Sequence, residues 1–214
     1  MGGRTRADLS GARGREGGRS RETREADKAR PTSQPCSLSP VLGDSGGGEM
    51  IPELVGSFDR SLAFMRELIA DLSDEEMVLQ PPGVPNHAAW TLGHVIHSCQ
   101  AIAGELGVVP WLPDDWEARF GYGSSPAIPP ASQGSCKAAL LASLADASNR
   151  LRAVLLATDE RRLKDPLPDE NTRKILPTLG DALLQVVSAH AAFHAGQLAA
   201  WRRAIGRPPV GVFV

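Results

Sequence analysis

The sequence predicts an all-α protein, a four-helix bundle, on three observations. Four stretches carry apolar residues at the i, i+3, i+4 spacing of a helix that buries one face. No run alternates apolar and polar residues convincingly over the length of a strand. The segments between the periodic stretches are rich in Pro and Gly, the residues of turns and helix stops. With 214 residues and 42% hydrophobic content, the chain suits one domain with a real core, or one domain and a tail.

Composition narrows the partners. A net charge of −2 lacks the electrostatic footprint of a nucleic-acid or membrane-surface binder, so neither partner is expected. No run approaches eighteen apolar residues and no apolar signal-peptide core stands near Met1, which predicts a cytoplasmic protein. Three cysteines, Cys36, Cys99 and Cys136, are an odd number without C-x-x-C spacing. That argues against a disulfide scaffold or a cysteine zinc ribbon and for reduced thiols.

Residues 1–49 scatter arginines and acids among Gly and Ser with almost nothing apolar to bury, so a disordered tail is expected. Asp8, Glu16, Glu22, Glu25 and Asp27 interrupt the arginines, which weakens a basic-arm or transit-peptide reading. The tail is also expected to be dispensable and outside the native protein. Gly46-Gly-Gly-Glu49 would be encoded by purine-rich codons just ahead of Met50, as a ribosome-binding sequence is, and the globular pattern of residues 50–214 begins there. A genuine disordered tail is the alternative.

The first helix starts near Ile51, with Leu54, Phe58, Leu62, Met65, Leu68 and Ile69 on one face. Gln80-Pro-Pro-Gly-Val-Pro-Asn86 is turn chemistry, and Asn86 is a possible N-cap for a second helix over residues 87–106. On that helix Trp90, His94, His97 and Ala101 share a stripe, while Leu92, Val95, Ile96, Cys99, Ile102 and Leu106 widen the apolar surface. Residues 107–132 form a long connection with Trp111, Trp116, Phe120 and Tyr122, either an ordered lid or a cap over the core. Its length suggests a crossover between the second and third helices. The third helix covers residues 136–157, with Leu140, Leu141, Leu144, Leu151, Val154 and Leu155 in phase. A fourth opens at Pro177-Thr178 and stops at Gly206-Arg207-Pro208, with Leu179, Leu183, Val187, His190, His194, Gln197 and Trp201 on one face.

Histidines dominate that bundle interior. His190 and His194 are four apart and therefore one turn above each other on one helix face, the spacing of two metal ligands. A third donor would come from the second helix, where His94 and His97 sit three apart on nearly the same face and periodicity does not choose between them. A packed polar cluster is the competing reading, but a shared cation gives several buried imidazoles a partner. Gln197, three residues after His194, is a candidate to orient a ligand or contact a metal-bound water. His87 reads as a cap-region or surface residue, and Arg202, Arg203 and Arg207 as cations at a helix C-terminus.

At these residues the sequence resembles the DinB/YfiT-like metalloenzyme superfamily. The match rests on Trp90-Thr-Leu-Gly-His94 and on His190-x-x-x-His194-x-Gly-Gln197-Leu198 followed by Trp201-Arg-Arg-Ala-Ile-Gly206, within residues 50–214. The resemblance implies an up-down-down-up four-helix bundle, a homodimer, and a divalent metal, zinc or nickel, on His94, His190 and His194; it selects His94 over His97. Characterised relatives imply a thiol-dependent transferase acting with a low-molecular-weight thiol on a small-molecule substrate. Ala191 stands where the glutamate of an H-E-x-x-H metalloprotease would be, so that reading fails. A metal-dependent hydrolase and a non-catalytic metal-binding or stress-related bundle are the alternatives.

Overall fold

The computed structural model describes residues 49–126 and 137–211. The expected tail over 1–49 falls almost wholly outside the described residues, as do Cys136 and the end of the long connection. Helix α1 spans Met50–Ile69, α2 Ala88–Glu105, the short α3 Trp116–Phe120, α4 Lys137–Leu156 and the single turn α5 Glu170–Arg173. The last helical run is α6 (Leu179–Leu183), a π-helical segment (Leu184–His190) and α7 (Ala191–Ala204), joined without leaving helical backbone. Short 3₁₀ turns cover Glu76–Val78 and Glu160–Lys164. Among the described residues there are no strands, only one isolated bridge between Pro166 and Thr178.

Local chemistry sets the helix ends. Thr178 and Asp181 form a reciprocal capping box at α6, each side chain accepting from the other's backbone N–H. The N-cap of α2 is His87 rather than the expected Asn86, because its Nδ1 accepts the backbone N–H of Trp90 at 3.0 Å. An imidazole nitrogen thereby does the work usually given to a short oxygen-bearing side chain. Gly107, at φ 89°, ends α2, and Gly206, at φ 81°, ends α7; only glycine adopts that left-handed backbone without steric cost.

Cross-helix bonds give the order of the bundle. Lys137 at the start of α4 caps the end of α1 through the carbonyls of Ala70 and Leu72, while Glu160 beyond α4 accepts from Ile51 N at the start of α1. Those two helices are antiparallel. Ser57 early in α1 bonds Ser188 in the π segment, and Arg202 near the end of α7 bonds the Leu68 carbonyl near the end of α1, so the last run is parallel to α1. Asn86, just before α2, lies beside Gln197 and Ala200 late in α7, whereas His94 meets His190 farther back, which makes α2 antiparallel to the last run. The order is up-down-down-up. Helix α2 packs mainly on its parallel neighbour α4, a pairing that requires the long crossover.

The predicted faces make the core: Leu62, Met65, Leu68 and Ile69 from α1, Leu92 and Ile96 from α2, Leu144, Leu151 and Leu155 from α4, and Leu183, Val187 and Trp201 from the last run. Ala101 is exposed, so the stripe read through Trp90, His94 and His97 does not continue inward past the second turn of α2.

Candidate metal centre

Helix α2 presents His94 from its second turn, buried on all sides by neighbours. Its Nδ1 lies 2.6 Å from the backbone carbonyl of Phe120. A carbonyl only accepts, so Nδ1 carries the proton and Nε2 keeps its lone pair. That lone pair points at His190 Nε2, 3.1 Å away, and His190 Nε2 in turn lies 3.0 Å from His194 Nε2. One donor atom from each of the three imidazoles falls within 4.8 Å of the others. Nitrogens around a tetrahedral ion at about 2.0–2.1 Å sit roughly 3.3 Å apart, close to the two separations at His190 Nε2.

Tautomers sharpen the fit. A neutral imidazole has one N–H, and a single proton on His190 Nε2 cannot make two full N–H···N bonds. His194 Nδ1 and Gln197 Oε1 are both buried without a bond of good geometry, a donor and an acceptor one helical turn apart. With the protons on Nδ1 of His94 and His194, lone pairs at Nε2 are left facing the same point, and a cation satisfies them together.

Burial first, then the charge that would appear on His194 and His94, pushes His190 down to about 3. Burial and His94 push His194 down to about 4, against an opposing bond with Gln197. His94 is lowered by burial, which outweighs the Phe120 carbonyl that favours its protonated form, and by His97. All three are therefore neutral at pH 7, the form that ligates metal. His94 and His194 are buried, whereas His190 is half-buried.

A sequence profile of the DinB superfamily matches residues 57–198, a span that contains all three imidazoles. The chain belongs to the DinB superfamily. A crystal structure of a conserved protein from Enterococcus faecalis is similar in fold, with a TM-score of 0.59 at 20% identity, covering 75% of this chain and 100% of that one. No curated protein sequence matches the chain.

In this DinB-superfamily domain the other sequence candidates sort by position. His97 is half-buried and absent from the three-imidazole cluster; burial lowers it and Glu117 opposes that shift. His87 is the buried cap of α2. Cys99 is buried in the core, and burial pushes its thiol up to about 12. Arg202 is not a solvated partner of the helix dipole. Its side chain is 3% exposed and forks onto Asp71 while bonding the carbonyls of Leu68 and Pro208, and Arg207 pairs with Glu76.

The described part of the aromatic connection packs on the His94 turn of α2 and on the core. Trp90 stacks on the His94 ring with centroids 4.7 Å apart and planes 9° apart, and its indole N–H donates to Ser124 Oγ at 3.0 Å. Trp116 donates its indole N–H to the Gly93 carbonyl at 3.1 Å. Sequence reasoning did not find the Phe120 carbonyl or Ser124, since backbone acceptors have no side-chain signature. Tyr122, in contrast, points fully into solvent.

Proposed function

We propose that His94, His190 and His194 hold one divalent ion, zinc or nickel, and that the domain carries out thiol-dependent transfer to a small-molecule electrophile. The observation that supports this most is the convergence of three neutral imidazoles, with no fourth side-chain donor among the described residues, on one point. Catalytic sites of this kind use three protein ligands and leave a position free, whereas structural sites are closed. When bound, such an ion lowers the pKa of a thiol or water and polarises an electrophile.

The chain's own residues define which chemistry is favoured. Burial holds the imidazoles neutral, the Phe120 carbonyl holds His94 in the ligating tautomer, and the Trp90 and Trp116 rings keep water from the α2 side. Among the described residues the cluster contains no carboxylate to act as a general base, which favours a thiol nucleophile over hydrolysis. Among the described residues the cysteine is Cys99, sealed in the core, and the reading takes the thiol from solution. The same reading keeps the expected homodimer, which rests on the family resemblance and is checked by light scattering, and the expected cytoplasmic location, which rests on the sequence pattern and is checked by cell fractionation. No helix of the described residues is long and apolar enough to cross a membrane.

The test compares metal-loaded and metal-free protein with an electrophilic probe and a panel of small thiols. Thiol consumption faster with the loaded protein, and unchanged by Cys99→Ala, is the expected result. Equal rates would end the transferase reading; probe hydrolysis without thiol would then select a metal-dependent hydrolase, and no reaction a binding role.

A further inference from the structure

We propose that the segment from α3 to Ser124 is a positioning strap for His94, and that Gly93 is the seat that lets it close. The proposal rests on the metal reading for its consequence, but its geometry stands in the chain itself. Three residues of α2 at i, i+3 and i+4, which share one helix face, each engage the strap. Trp90 is tied to Ser124, whose hydroxyl also donates to the Arg119 carbonyl. The Gly93 carbonyl accepts from Trp116, and His94 donates to the carbonyl of Phe120. The Trp90-x-x-Gly93-His94 run is thus a docking edge as well as a ligand-bearing turn.

Gly93 is the residue that admits the strap. A Cβ built there would lie 2.3 Å from Phe120 Cδ1, 2.4 Å from Cε1 and 2.6 Å from Cγ. Ordinary carbon contacts begin about 1 Å farther out, and Cγ is fixed close to the backbone, so turning the ring alone does not relieve the overlap. The ring is buried beside Trp116, which opposes a change of χ1, so Phe120 shifts as a residue and its carbonyl moves with it. The lost bond is the one that keeps the proton on His94 Nδ1 and the lone pair on Nε2. Gly93 and Phe120 are therefore positioning residues that act on the site through His94, and neither is itself a ligand.

Five proteins test this: wild type, Gly93→Ala, Trp116→Phe, the double variant Gly93→Ala/Phe120→Ala, and Phe120→Ala as the reference for the double. The readouts are zinc affinity by chelator competition and the tautomer of His94 in metal-free protein by ¹⁵N NMR at pH 8. Wild type should show the Nδ1–H tautomer. Gly93→Ala should lose it and bind zinc about 10–100-fold more weakly, the usual range for removing a bond that orients a metal-bound histidine. Trp116→Phe, which adds no bulk, should shift both readouts in the same direction by less. Removing the Phe120 ring leaves its carbonyl in place, so the double variant should recover the tautomer and bind zinc better than Gly93→Ala alone. A Gly93→Ala protein that keeps the Nδ1–H tautomer and wild-type affinity overturns the strap, as does a double variant no better than the single. If wild type binds neither zinc nor nickel, the metal reading fails by itself, and the tautomer comparison still decides the strap.

Discussion

Acid should weaken metal binding far less here than at a site made of exposed histidines. At pH 5 an imidazole of ordinary pKa, about 6.5, is about 97% protonated, so it lowers apparent affinity about 30-fold, and three such ligands lower it about 3 × 10⁴-fold. His190, held at about 3, and His194, held at about 4, stay neutral at pH 5, and together they lower affinity by only about 1.1-fold. His94 is lowered too, so its share is less than that of an exposed imidazole. The expected fall between pH 7.5 and pH 5 is therefore below about 30-fold. Zinc titration against a chelator of known proton dependence, at both pH values, measures it. A fall near 10⁴-fold would show that the imidazoles are solvated in the free protein and would refute the burial argument. Stability of the metal-free protein follows the same protons. Below about pH 6.5 the unfolded chain takes up protons that the folded imidazoles refuse, so stability is full above that pH and is lost as pH falls toward 4 and 3.

His190→Ala should abolish stoichiometric metal, because His190 Nε2 lies within 3.1 Å of both other donors, while His97→Ala should retain it. Elemental analysis of untagged protein decides both, and full metal in His190→Ala would remove the three-ligand assignment. Arg202→Met should lower stability by about 1–3 kcal/mol in urea unfolding, since it strips the buried Leu68 carbonyl of its donor. Its metal content should be unchanged; a loss of metal without a loss of stability would contradict the purely structural role given to this pair.

What could be read from the sequence was whatever helical periodicity carries. The faces through Leu54 to Ile69 and Leu179 to Trp201 became core because apolar side chains at that spacing have one way to leave water together. His190 and His194 could be paired for the same reason. The choice of His94 over His97 could not, since residues three apart differ by only about 60° around the axis, and it is the reach of the second helix that aims one ring inward and leaves the other half-buried. The π segment Leu184–His190 was hidden because it contains no glycine or proline to announce an irregular turn, although wide turns of this kind often accompany functional residues. Arg202 looked like a surface cation because its burial depends on a carbonyl and a carboxylate more than a hundred residues earlier in the chain. Gly93 is the instructive case. Inside an otherwise strong helix a glycine is less stable than alanine by about 1 kcal/mol, a local disadvantage that the apolar pattern around it does not explain. Such a residue marks a place where another part of the chain comes closer than a methyl group allows, and here it stands directly before a histidine. The glycine in Trp90-Thr-Leu-Gly-His94 was therefore a visible sign that some backbone would press on the turn that carries His94. Only the fold could say that this backbone belongs to Phe120.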